Sequence, residues 1–123
     1  MADRATSLDD ILYGGCESQG WIGVDLDGTL AYFDHSLGWE IGPPIPSMLE
    51  RVKKWLAAGR DVRIFTARAT RPDQVAKVEE WCLRFLGAKL PVVCSKDFEM
   101  DELWDDRCVQ VLQNTGKRAD GRE

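Results

Sequence analysis

A chain of 123 residues, 44% hydrophobic and 30% charged, has the size and balance of one globular domain and too little length for two. Its net charge of −5 excludes avid, nonspecific nucleic-acid binding, which needs a basic footprint. No apolar stretch reaches the roughly 18 residues of a membrane span, and Met1-Ala2-Asp3-Arg4 lacks a basic-then-apolar leader pattern, so the expectation is a cytoplasmic protein without a membrane partner.

Residues 1–19 read as a tail in which Leu8–Leu12 allow one helical turn before Gly14-Gly15. Trp21–Asp25 predicts a first strand, apolar enough to be central in a sheet. Residues 28–45, rich in Gly, Pro and aromatic residues, predict an irregular loop or small hairpin. A helix starts near Pro46-Ser47, since proline suits a first turn. Met48, Leu49, Val52, Trp55 and Leu56 recur on one face, and Gly59 stops it.

Asp61–Phe65 predicts a second strand ending at Thr66, and a second helix runs from about Pro72 to Leu86. Val75, Val78, Cys82, Phe85 and Leu86 are its buried stripe, and Gly87 ends it. Leu90–Cys94 predicts a third strand, Glu102–Asp105 a fourth and Cys108–Leu112 a short fifth, before a polar tail over 117–123. One core domain over 20–116 follows. Its pattern is α/β: a three-layer, Rossmann-like fold with a mainly parallel central sheet covered on both faces. Cys16, Cys82, Cys94 and Cys108 form no C-x-x-C pair and His35 is the sole histidine. That set does not make a zinc site; reduced thiols, mostly packed in the core, are expected.

The chemistry gathers at the strand ends, where open α/β sheets build their sites. In Val24-Asp25-Leu26-Asp27-Gly28-Thr29-Leu30, Asp25 and Asp27 sit at i and i+2, so both carboxylates leave the strand on one side. Such a pair repels itself unless a cation or a shared proton relieves it, and Mg²⁺ is the natural cation. The second strand delivers Thr66, the third leads to Lys96, and the fourth to Asp105-Asp106. Two acid pairs, a hydroxyl and an ammonium suit a phosphoryl group on Mg²⁺.

The order DLDGTL, FTAR, a lysine and Trp-Asp-Asp-Arg resembles the haloacid dehalogenase (HAD) superfamily of phosphotransferases and phosphatases, over residues 21–109. The resemblance implies an HAD-type fold and Mg²⁺ as cofactor. It makes Asp25 the nucleophile that forms an aspartyl-phosphate. Asp27 is the acid and then the base. Thr66 and Lys96 contact the phosphoryl oxygens, with Gly28 and Ala67 beside them. Metal ligands come from Asp25, Asp27 through its backbone carbonyl, and the Asp105-Asp106 pair. Asp106 is favoured as the direct ligand, with Asp105 a partner of Lys96 or of a metal-bound water.

The short spacings leave no room for the cap domain that most small-molecule phosphatases of this superfamily carry. The site is therefore expected to be open, or closed by another copy in a homo-oligomer, with a phosphorylated substrate of unknown class. Tyr32, Trp39 and Arg68 are candidate substrate contacts, although packing over the sheet edge is the plainer role for the aromatic residues and a solvated loop the plainer place for Arg68. His35 is expected on the flap or the surface, and Arg107 paired with an acid. The leading function is a phosphomonoester hydrolase. The alternatives are a catalytically weak phosphate- and metal-binding regulatory module, or a phosphatase for nucleic-acid ends. A receiver domain is disfavoured, because no aspartate ends the second or third strand.

Overall fold

The computed structural model describes residues 19–123; the expected turn at Leu8–Leu12 and Cys16 lie outside them. The elements in chain order are β1 (Trp21–Val24), α1 (Pro46–Ala57), β2 (Asp61–Phe65), α2 (Pro72–Leu86), β3 (Val92–Val93) and β4 (Met100–Trp104), with 3-10 turns at His35–Leu37 and Ala67–Thr70. The four strands form one sheet in the order β3-β2-β1-β4, and every pairing is parallel. This is a small α/β fold with no extra domain. The expected cap-free spacing holds: only a flap separates β1 from α1, and only a 3-10 turn and α2 separate β2 from β3.

Both helices begin with a proline in the first turn, where the missing N–H costs nothing. Gly87 ends α2 in the left-handed region, its N–H bonded to the Leu83 carbonyl. Buried Met48 and Val52 of α1 and Val78, Trp81 and Cys82 of α2 share one core with Ile22, Val24, Val62 and Ile64 of the sheet. Trp81 is absent from the expected stripe. Its indole N–H donates to the Gly42 carbonyl at 3.0 Å and ties α2 to the flap's return.

Among the described residues, both helices lie on the sheet face of Ile22, Val24, Val62 and Ile64. The steps β1 to β2 and β2 to β3 run the same way across the sheet, so two right-handed crossovers put both helices on one side. The opposite face carries Trp21, Arg63 and Phe65, with the Arg63 guanidinium 4.6 Å from the Trp21 ring centroid and Trp21 stacked on Phe65. From β3 at one edge the chain must reach β4 at the other, roughly 14 Å away, through residues 94–99. It crosses that second face and turns at Phe98-Glu99 into β4, with the Met100 N–H on the Asp97 carbonyl. Asp97 accepts from the Trp21 indole at 2.8 Å, and the Trp21 N–H bonds the Glu99 carbonyl.

The expected third strand shortens to Val92–Val93, which pairs only with Ile64 and Phe65. The expected fifth strand is not part of the sheet. Residues 110–112 instead pair back on 117–119, with Leu112 N–H to the Lys117 carbonyl and Ala119 N–H to the Gln110 carbonyl. The expected tail is thus one arm of a local hairpin. The thiols also depart from expectation: Cys82 is buried, but Cys94 and Cys108 are exposed. No described helix is long and apolar enough to cross a membrane.

Candidate active site

β1 delivers Asp25 at its C-terminal end, fixed by the Asp25 N–H to the Trp104 carbonyl at 2.8 Å. β4 ends beside it and delivers Asp105 and Asp106. One carboxylate oxygen from each of Asp25, Asp105 and Asp106 lies within 4.8 Å of the others. Two details hold this triad. The Thr29 hydroxyl stands 3.3 Å from Asp25 Oδ2 and 3.2 Å from Asp106 Oδ1, and accepts the Asp106 N–H at 3.0 Å. Gly28, at φ 91°, leaves the space Asp106 occupies: a Cβ there would stand 2.7 Å from its Oδ2.

Gly28 thus admits the acid. Its own N–H is already bonded to the Ala31 carbonyl at 2.8 Å, which gives it a different task from the expected phosphate approach. Gly28→Ala should cost roughly 1–3 kcal/mol and weaken divalent-ion binding, read by denaturant unfolding and by calorimetry. A variant as stable and as tight as the parent would show that Asp106 need not sit there.

Burial first, then a hydrogen bond with Asp106 and the charges of Asp105 and Asp106, push the Asp25 carboxyl up to about 7, against a smaller pull from the Leu26 backbone. Three carboxylates this close, one of them half-buried, fit a divalent cation with oxygen preference. The linkage sign follows. A carboxyl raised above its unfolded value of 3.8 contributes stability that is present below that value and is lost as pH rises towards about 7. A bound cation removes the penalty.

Mg²⁺ at about 100 times its Kd should therefore stabilise the protein by about 2.7 kcal/mol, with the larger rise in Tm at pH 8 and little at pH 5, where protons compete for the same oxygens. Thermal melts with Mg²⁺ and with EDTA at both pH values check this. An equal Mg²⁺ effect at the two would mean that the triad does not hold the ion.

Asp27 points elsewhere. Its two oxygens accept from Arg68 Nε at 2.8 Å and Nη2 at 3.0 Å. Arg68 Nη1 donates to the Trp39 carbonyl at 2.8 Å and to Gln74 Oε1 at 2.6 Å. Arg68, expected as a substrate contact in a solvated loop, is 7% exposed and joins three segments at the edge of the site. Its backbone N–H donates to the buried Thr66 hydroxyl at 3.1 Å, so Thr66 caps the 3-10 turn and has its hydroxyl hydrogen left to donate.

A cleft of about 570 Å³ opens over these groups, lined among others by Asp25, Asp27, Thr66, Ala67, Arg68 and Asp105. Phe33 and Trp39 line it too, while Tyr32 does not; the Tyr32 hydroxyl meets Asp34 at 3.4 Å. Neighbours in an extended segment face opposite ways, so Phe33 takes the place expected of Tyr32. His35 lies on the flap, edge-on to Phe33. Arg107, expected to pair with an acid, makes no ion pair among the described residues and lines the cleft. Cys108 also lines it, and burial with the surrounding aspartates pushes its thiol up, away from reactivity.

Lys96 does not reach the cleft. It is exposed, is absent from the residues that line the cleft, and lies on the segment between β3 and β4, next in sequence to Asp97, which holds the Trp21 indole. With no helix between β3 and β4, the chain must leave the strand end at once, and it carries Lys96 away. Asp105 therefore has no lysine partner there; its Oδ1 takes the Arg107 N–H at 2.7 Å, and it joins the triad on the same footing as Asp106. Thr29 and Gln74 are site residues that the sequence reading missed. For Thr29 the signal was its place directly after Gly28.

No family model matches the chain, and no curated protein does. Among solved structures, a conserved protein from Bacteroides thetaiotaomicron is similar, with a TM-score of 0.58 and 24% identity over 75% of this chain and 79% of that one. At that identity the likeness establishes the α/β fold and nothing about activity.

Proposed function

We propose that this protein is a Mg²⁺-dependent phosphomonoester hydrolase working through an aspartyl-phosphate on Asp25. The observation that carries the reading is the division of labour at the end of β1. Asp25 faces two further carboxylates, whereas Asp27, two residues on, faces a buried guanidinium. In this reading Asp25 serves the metal and the phosphorus atom, and Asp27 serves the proton.

Mg²⁺ bound by Asp25, Asp105 and Asp106 would neutralise charge on the phosphoryl oxygens and keep Asp25 ionised. A carboxylate oxygen of Asp25 attacks phosphorus, and the bond to the leaving oxygen breaks. Asp27 gives that oxygen its proton. Water then attacks phosphorus, Asp27 takes a proton from it, and the bond to Asp25 breaks to release phosphate. Arg68 uses one lone pair on each Asp27 oxygen, so lone pairs remain for the proton. Thr66 donates its hydroxyl hydrogen to a phosphoryl oxygen, and Arg107, which lines the cleft, would supply the cation expected of Lys96. The test is hydrolysis of a generic aryl phosphate with Mg²⁺ beside EDTA-treated protein. Identical rates in the two would end the proposal.

A second reading is a metal- and phosphate-binding module with little turnover. It is favoured by the bidentate hold of Arg68 on Asp27 and by the absence of Lys96 from the residues that line the cleft. It predicts binding of Mg²⁺ and a phosphate mimic without hydrolysis across a broad panel of esters.

A further inference from the structure

We propose that the flap wall of the cleft is a base-binding subsite, so that the phosphomonoester taken here is a mononucleotide; this rests on the hydrolase reading above. Trp39 is 55% exposed yet is not a loose surface ring. Its carbonyl is held at 2.8 Å by buried Arg68. Its ring lies 4.9 Å from the Arg71 guanidinium, which is itself tied to Asp73 at 3.4 Å. An apolar ring left in water gains nothing for the core, so fixing it from both backbone and side chain preorganises a surface for a ligand.

Phe33, 41% exposed, and Phe65 line the same cleft. Single exposed aromatics are ordinary, but Phe33 and Trp39 on the flap and Phe65 at the end of β2 line one cleft with Asp25 and Asp105, which offers a base apolar surface to stack on. A bare phosphate needs a small part of about 570 Å³, and the remainder suits a small molecule of nucleotide size. Among the polar groups along the cleft, Arg71 and Arg107 are donors, while the Thr70 hydroxyl is spent on the Ala67 carbonyl at 3.0 Å. Base edges are rich in carbonyl and ring-nitrogen acceptors that these guanidiniums can meet. The net charge of −5 argues for a free nucleotide over the end of a polynucleotide, whose backbone needs a basic track.

The test compares kcat/KM with Mg²⁺ for nucleoside monophosphates, glycerol 2-phosphate, a hexose phosphate, a phosphotyrosine peptide and a phosphorylated oligonucleotide. Mononucleotides should exceed glycerol 2-phosphate by roughly tenfold or more, the range of base stacking on an aromatic ring. That ratio should fall about as far in Trp39→Leu and recover largely in Trp39→Phe, which keeps a ring. Equal kcat/KM for mononucleotides and glycerol 2-phosphate, a preference for one of the other esters, or a ratio unmoved by Trp39→Leu overturns the subsite while leaving the hydrolase reading intact.

Turnover of none of the esters overturns the hydrolase reading. The subsite is then decided by titrating Asp25→Asn protein with a nucleoside monophosphate and following tryptophan fluorescence. Saturable quenching lost in Asp25→Asn/Trp39→Leu supports it, and no quenching rejects it.

Discussion

Asp25→Asn is expected to abolish turnover of an aryl phosphate, by roughly 10³-fold or more, because an amide cannot form the acyl phosphate. The same substitution should make the metal-free protein more stable at pH 8, not less. It removes a half-buried carboxyl that burial and the neighbouring aspartates push up to about 7, and it replaces a charge by a neutral group of the same shape. Mg²⁺ affinity should fall, since one of three carboxylates is gone. Turnover and Mg²⁺ affinity fall while metal-free stability rises, so a folding defect cannot mimic the set. They are read by a steady-state assay, metal-free thermal melts at pH 8 and Mg²⁺ titration calorimetry. Activity equal to the parent would remove Asp25 from the mechanism, and a lower metal-free Tm would show that its charge is compensated by something other than a cation.

Arg68→Ala should be the most damaging change away from the triad. It breaks a bidentate pair at 2.8 and 3.0 Å and leaves the Trp39 carbonyl and Gln74 Oε1 without their donor. Removing one partner of a buried pair costs about 3–5 kcal/mol. Asp27 retains 25% side-chain exposure, so about 2–3 kcal/mol is the better expectation, a fall in Tm on the order of 10 °C. Arg68→Lys keeps one charge but cannot reach three partners with a planar fork, and should recover less than half.

The contrast is Arg118→Ala, which breaks an exposed pair with Asp120 at 2.8 Å and should cost no more than about 0.5 kcal/mol. Equal losses in Arg68→Ala and Arg118→Ala by urea unfolding would show that the Asp27 pair is no more than a surface contact. The kinetic half of the prediction is a fall in kcat beyond what the unfolded fraction explains, because Asp27 loses the group that orients it. Arg68→Ala at low temperature, fully folded by circular dichroism, isolates that effect.

The elements were legible because they obey local rules. Asp61–Phe65 alternates and is bounded by Gly59 and Thr66. Pro72–Leu86 is framed by an N-terminal proline and by Gly87, and both helices carry their apolar residues at helical spacing. The positions of Asp25, Thr66 and Asp105 at strand ends follow from those elements, and so does their convergence, since parallel strands end on one edge. The flap residue Trp39 and the absence of a cap were legible from spacing as well.

The partners were not legible, because hydrogen bonds are made across sequence separations that no local pattern encodes. Arg68, the arginine that ends FTAR, reads as a loop residue until folding sets it against Asp27, 41 positions away. Thr29 reads as part of a turn until β4 brings Asp106 to it across 77 positions. Lys96 is correct in order and wrong in place, since order along the chain does not reveal that residues 94–99 must cross the sheet to reach the far edge. The sequence by itself determined which strands end in acids, through periodicity and turn chemistry. Only the tertiary structure decided which acids share a cation and which one shares a guanidinium, because strand order and the path between strands set the distances on which charge interactions depend.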